Sequence, residues 1–188
     1  MALRVFGTAS KAGILSREEE QILMNMAAAA AEESRQVLQA SRELREILFR
    51  IFSTVACGET PSDEELSRLN AFLARALGSA RVAKREGGYA IEFDTRGTLD
   101  GMLPSVVWSA AELLRSGDLA RVKICRDENC GWLFVDESKN RSRRWCEMSD
   151  CGNRAKARRH YRRITMRARA SGGERSQDPA DKSGGSIK

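Results

Sequence analysis

The chain has 188 residues, 41% of them hydrophobic and 31% charged, with a formal net charge of +6. That length and apolar content allow one ordinary domain plus a small module. They exclude a helical membrane protein, because no apolar run approaches the roughly 18 residues that a spanning helix needs, and the apolar stretch at 27–31 lacks the basic flank of a secretory signal. The expected compartment is the cytoplasm, where thiols stay reduced.

In chain order, Ser16-Arg17-Glu18-Glu19 reads as a capping box, with Ser16 as N-cap and Glu19 at N3. From there to about Val55, apolar residues recur at three- and four-residue steps: Ile22, Leu23, Met26, Val37, Leu44, Ile47, Leu48, Ile51 and Phe52. This is the period of a helix. One long helix fits, as do two with a break near Glu33-Ser34. Gly58 stops the pattern, and Pro61 begins the next helix with Thr60 as N-cap. Leu66, Leu69, Phe72, Leu73, Ala76 and Leu77 form its inner face, and Gly78 ends it. Residues 80–84 and 89–93 read as two short strands around Gly87-Gly88, a hairpin signal. A further helix covers about 100–115, with Val106, Val107, Ala110, Leu113 and Leu114 facing inward and Trp108 in the core or a contact. Ser116-Gly117-Asp118 closes it. Cys57, at the end of an apolar helical pattern, is expected to be a small core hydrophobe. Residues 171–188 are rich in Gly, Ser, Asp and Lys and are expected to be disordered.

Residues 1–120 carry no histidine, no nucleophile motif and no phosphate-cradling glycine loop. Their acidic residues fall on helix faces that solvent and intrahelical pairing explain. Catalysis is therefore not expected there.

Charge is distributed unevenly. Residues 1–120 hold 14 Lys/Arg against 17 Asp/Glu, whereas residues 121–170 hold 15 against 6. A basic segment on a mildly acidic body implies a polyanionic partner. The same segment contains four of the five cysteines: Cys125-x4-Cys130, fifteen residues, then Cys146-x4-Cys151. Two close pairs joined by a hairpin-sized connection fit a tetrahedral four-thiolate site holding one structural zinc ion. Trp132-Leu133-Phe134-Val135 supplies a strand and Asp136 to Arg144 a polar loop. Arg126, Arg143, Arg144 and Arg154 lie near enough in sequence to offset the thiolate charge. A disulfide pair, an iron–sulfur cluster and an oxidation switch that releases zinc are the other readings. Catalytic zinc is not expected, because four thiolates leave no open coordination position.

Residues 152–170 form a basic helix with no Asp or Glu. Ala157, Tyr161, Ile164 and Ala168 share one face and are expected to pack on the metal module or the body. Asn153, Arg154, Lys156, Arg158, Arg159, Arg162 and Arg163, with Arg141, Arg143 and Arg144 from the loop, are the candidate nucleic-acid contacts. Guanidinium forks match phosphates and guanine edges, and a helix fits the major groove. His160 is expected to be exposed or to face nucleic acid rather than to ligate metal. RNA, an acidic protein and a membrane surface are other partners for a basic helix, the last weakened by the lack of Leu, Phe or Trp.

Cys151-Gly152-Asn153-Arg154 spells the signature of the CGNR zinc-finger family of bacterial proteins. Cys125-x4-Cys130, Phe134-x-Asp136-x-Ser138, Arg143-Arg144-Trp145-Cys146 and Met148 extend the resemblance over about residues 121–165. The helical part before it is similar, more loosely, to the ABATE domain that usually precedes this finger. Family members usually begin with an extended segment carrying an Asn-Thr pair, whereas this chain starts Met1-Ala2-Leu3-Arg4. A family ligand pocket using that segment would be incomplete here.

The fold expected is mainly α with a small β component: a helical domain over 1–120 with a short hairpin, a zinc module with basic helix over 121–170, and a tail. The resemblance implies a zinc-dependent, DNA-binding regulator of transcription, associated with the bacterial nucleoid when bound, whose N-terminal domain responds to stress or an unknown small-molecule effector. Oligomerisation through the long helices is open. An RNA-binding or protein-interaction zinc module without promoter specificity is the first alternative. An enzyme acting on a small molecule through the N-terminal domain is the second.

Overall fold

The computed structural model describes residues 17–94 and 98–172. Ser16 of the expected capping box and the tail beyond residue 172 lie outside the described residues. The architecture is mostly helical with two small antiparallel hairpins. Among the described residues no helix is long and apolar enough to cross a membrane.

Helix α1 spans Arg17–Ala29 and α2 spans Ala31–Ala56. The break between them falls at Ala30 (φ −124°, ψ 72°), not at the expected Glu33-Ser34. Ser34 lies inside α2, where its buried hydroxyl donates to the Ala27 carbonyl at 3.1 Å. It thereby satisfies one of the carbonyls that the last turn of α1 leaves unpaired. Gly58, at φ +82°, adopts the left-handed conformation that commonly follows a helix end.

Helix α3 spans Asp63–Leu77. Its N-cap is Ser62 rather than the expected Thr60. The Ser62 hydroxyl accepts from Glu65 N–H at 3.2 Å while the Glu65 carboxylate accepts from Ser62 N–H at 3.0 Å. This reciprocal box satisfies two donors, which Thr60 followed by Pro61 does not offer. Strands β1 (Ala80–Arg85) and β2 (Gly88–Phe93) pair in register from Ala80↔Phe93 to Arg85↔Gly88. Gly87, at φ +83°, makes the tight turn. Helix α4 spans Leu103–Arg115 with Pro104 in its first turn, and a 3-10 turn follows over Gly117–Arg121.

The chain divides into two compact units. The first runs to Ile124 and takes back Leu133–Arg143. Its main core gathers Leu44, Ile47 and Ile51 of α2, Leu69 and Ala76 of α3, and Leu99, Met102, Leu103 and Val107 at α4. A second cluster joins Phe52, Ala110 and Val122, with Leu133 and Val135 packed against it. Strands β3 (Val122–Ile124) and β4 (Leu133–Val135) thus anchor in the helical body. Trp108 is half-buried, its ring 6.3 Å from Phe93. Cys57 is exposed, contrary to the core position expected. Six residues beyond Ile51 it has rotated about 240° off the buried stripe.

The second unit comprises Cys125–Trp132 and the chain from Arg144. It contains a wide π-type turn over Met148–Gly152 and helix α5 over Asn153–Gly172. Ala157, Tyr161 and Ile164 do not pack: Tyr161 is 68% exposed and Ile164 49% exposed. The side of α5 that meets the metal module carries arginines instead, Arg154 and Arg158, both bound to Asp127.

Candidate metal centre and basic helix

Each cysteine pair sits at a turn built by its own sequence. In the first, Cys130 N–H donates to the Asp127 carbonyl at 3.0 Å, and Gly131 follows at φ +66°, where a side chain would be strained. Cys125 N–H reaches the Trp132 carbonyl at 2.7 Å. In the second, the Glu147 carboxylate accepts from the main-chain N–H of Met148 at 3.1 Å, and Gly152 N–H closes the wide turn on the Glu147 carbonyl at 3.1 Å. Arg126 N–H donates to the Arg144 carbonyl at 3.0 Å and ties one turn to the other.

These turns aim Cys125, Cys130, Cys146 and Cys151 at one point. Their sulfurs all lie within 4.8 Å of one another, with Cys130–Cys146 and Cys146–Cys151 at 3.6 Å. A tetrahedral zinc ion with bonds of about 2.3 Å has sulfur–sulfur edges of about 3.8 Å. The residues present therefore fit a four-thiolate metal ion. When bound, such an ion supplies structural cross-linking.

The acid–base properties of the thiols point the same way. Against the penalty of burial, main-chain hydrogen bonds from Asp127 and Cys146 hold the Cys125 thiol below its ordinary value. Burial and the Cys130 sulfur push Cys146 up to about 11. Burial and the neighbouring sulfurs push Cys151 up as well. Four sulfurs this close resist ionising together unless a cation neutralises them.

Two carboxylates are fully buried in this basic segment. Asp127 receives Arg154 Nε at 2.7 Å and Arg154 Nη2 at 2.6 Å on Oδ2, and Arg158 Nη2 on Oδ1. Burial alone would raise its pKa; the Arg158 and Arg154 guanidiniums and the Asn129 N–H outweigh it and hold it at about 2. Asp136 belongs to the first unit. It receives Lys123 Nζ at 2.5 Å, Ser138 N–H at 3.0 Å, the Ser138 hydroxyl at 2.5 Å and Arg143 N–H at 3.0 Å. These donors overcome the burial penalty and depress its carboxyl far below the usual range. Asp136 thereby organises the loop that carries Arg141, which stands at φ +48°, and Arg143. Neither carboxylate was singled out from sequence as a buried partner.

The expected contact residues fall in distinct places. Asn153 donates from Nδ2 to the Ser149 carbonyl at 2.8 Å. Besides Asp127, Arg154 reaches Asp150 at 2.5 Å and the Cys151 sulfur at 3.0 Å. Arg158 also approaches Glu128 at 3.9 Å, and Arg162 does so at 3.4 Å. Lys156, Arg159 and Arg163 are exposed, with no hydrogen bond or ion pair among the described residues. Arg143 lies over Phe134 at 5.0 Å and Arg144 over Trp145 at 5.7 Å, both cation–π distances. Of the four arginines expected to offset the thiolates, Arg154 donates to a ligand sulfur, that of Cys151, at 3.0 Å. His160 is exposed.

Two family models match the chain. Residues 18–117 match ABATE, described as "Putative stress-induced transcription regulator", and residues 121–164 match the CGNR zinc finger. No curated protein matches it. Since the first of these models covers more than half of the chain, the protein belongs to the ABATE family and carries a CGNR zinc finger after its ABATE domain.

Proposed function

We propose that this protein is a zinc-dependent, sequence-selective DNA-binding regulator of transcription rather than an enzyme. The observation that carries the proposal is the row formed by Lys156, Arg159 and Arg163 on α5. These three cations, at i, i+3 and i+7, share one helix face, stand in solvent and have no carboxylate partner among the described residues. Unneutralised cations on a helix that fits the major groove are the electrostatic footprint of a polyanion-binding surface. Zinc is the ion proposed, because four soft thiolates in closed tetrahedral array suit it and leave no catalytic position. Arg141 and Arg143 of the first unit and Arg144 of the second are also exposed and are proposed as further phosphate contacts. The ABATE domain is proposed to sense an effector. A cavity of about 170 Å³ lined by Phe72, Arg75, Ser79, Asp94, Leu103 and Val107 is where a small molecule would enter.

The test is selection by the zinc-loaded full chain from random duplexes, followed by titration of the best site and a scrambled one across a salt series. A preference of roughly 1,000-fold or more supports sequence-selective regulation. A steep salt dependence without preference reduces the reading to phosphate binding. Absence of binding turns it towards protein interaction. One observation favours a single-stranded or RNA target: Trp132 is 71% exposed beside the first cysteine turn, as aromatic residues that stack unpaired bases are. Tighter binding to a single strand than to the duplex would establish that alternative.

A further inference from the structure

The six cations of α5 from Arg154 to Arg163 separate into two sets. At about 100° per residue, Arg154, Arg158 and Arg162 share one arc, and Lys156, Arg159 and Arg163 share another about 130° away. Arg154 and Arg158 of the first set are already engaged with a buried carboxylate, whereas Arg162 meets Glu128 in an exposed pair at 3.4 Å. Arg154 has five N–H donors, and its contacts with Asp127, Asp150 and the Cys151 sulfur take up four of them. Arg158 meets Asp127, whose side chain is entirely shielded from solvent. A phosphate would have to strip these guanidiniums from a buried carboxylate, leaving that charge unpaired in a dry site.

We infer that Asp127 is a positioning residue for nucleic-acid contact: by holding Arg154 and Arg158 it seats α5 on the first cysteine turn and turns Lys156, Arg159 and Arg163 outward. The inference rests on the nucleic-acid reading above. It reassigns the last letter of the Cys-Gly-Asn-Arg signature. Arg154 braces the helix and supplies positive charge to the Cys151 sulfur, and Asn153 holds the Ser149 carbonyl of the preceding turn. A Cβ at buried Gly152 would stand 2.4 Å from the Met148 sulfur, the end of a flexible, exposed side chain that would have to move aside. Cys151, Asn153 and Arg154 of the signature thus serve the architecture of the metal turn, and the contact surface begins after it, at Lys156.

The slope of affinity against salt separates the roles, because each phosphate neutralised contributes about 0.9 to it and a purely structural residue contributes nothing. Binding of the zinc-loaded full chain to a duplex of arbitrary sequence is measured between about 50 and 200 mM salt. Arg159→Ala is expected to flatten the slope by about 0.9. Arg158→Ala is expected to weaken binding in parallel at every salt and leave the slope at the wild-type value. Arg158→Ala and Asp127→Asn are also expected to surrender zinc to a chelator about tenfold faster or more, in line with lost partners around a metal ligand set, with Arg159→Ala at the wild-type rate. An equal loss of slope in Arg158→Ala and Arg159→Ala, or equal rates of zinc transfer in all variants, overturns the inference. A wild-type protein that binds no duplex overturns the proposed function and the contact half of this inference. The zinc-transfer comparison then decides the brace alone: faster loss upholds it and equal rates overturn it.

Discussion

Replacing Cys146 by Ser separates the two units, and its effect follows from what each has inside. Among the described residues of the second unit, the buried ones are Cys125, Asp127, Cys151 and Gly152, with no large apolar side chain among them. Its interior consists of metal ligands and an ion cluster. A structural zinc site contributes about 10–16 kcal/mol at neutral pH in small finger peptides, against a whole-domain stability of about 5–15 kcal/mol. Nothing else among the described residues of this unit matches that contribution. Helix α5 then stands alone as a 20-residue segment crowded with like charge, and isolated helices of that length are marginal in water. Among the described residues the five α-helices contain 13, 26, 15, 13 and 20 residues, so loss of α5 removes roughly a quarter of their helical signal. The first unit keeps its signal, because its core of Leu44, Ile47, Ile51, Leu69 and Val107 owes nothing to the metal. Circular dichroism at 222 nm with a metal assay reads both halves. A Cys146→Ser protein that loses metal yet retains its full helical signal refutes the reasoning, as does one in which α1–α4 melt as well.

Three further expectations follow from single sites. Ile51→Ala, at a fully buried position, should cost about 2–5 kcal/mol in denaturant unfolding, the range for truncating a core isoleucine. Ser62→Ala removes one half of a capping box and should cost about 1 kcal/mol by the same measurement. Metal uptake near pH 7 should release protons into weakly buffered solution, because Cys146 at about 11 enters the site as a thiol; metal affinity should therefore rise with pH, and an uptake that leaves pH unchanged would contradict the thiol assignments.

Much of the fold was legible because periodicity and turn chemistry are local. Leu44, Ile47 and Ile51 repeat at helical steps and do line the core. Gly87 marks the hairpin by the conformation it alone adopts cheaply. Ser62-Asp63-Glu64-Glu65 was equally readable as a capping box, but Pro61 drew the expected cap two residues early. The break at Ala30 was not readable. Neither glycine nor proline stands there, and the stabilising bond comes from Ser34, seven residues from its acceptor Ala27. Trp132 to Val135 looked like part of the cysteine module by contiguity. Leu133 and Val135 instead pack against the cluster of Phe52, Ala110 and Val122, a contact between residues far apart in the chain.

The metal ligands were the most legible part of the site, since two close cysteine pairs carry their chemistry in their spacing. The partition of the arginines was the least legible. A run of cations looks uniform in sequence, and what distinguishes Arg158 from Arg159 is a single acidic residue 31 positions upstream. Asp127 lies in a segment where cations outnumber anions 15 to 6, so it reads there as a minor offset to the charge. In the folded unit it is buried, held at about 2 and therefore ionised through the neutral range, and it commits the two guanidiniums nearest the metal turn. The useful signal in such a segment is accordingly its rare acidic residues: in a short module without an apolar interior, each one that becomes buried must take cations with it. Among the described cations of α5 from Arg154 to Arg163, Lys156, Arg159 and Arg163 have no carboxylate partner, and they are the ones proposed to meet a polyanion.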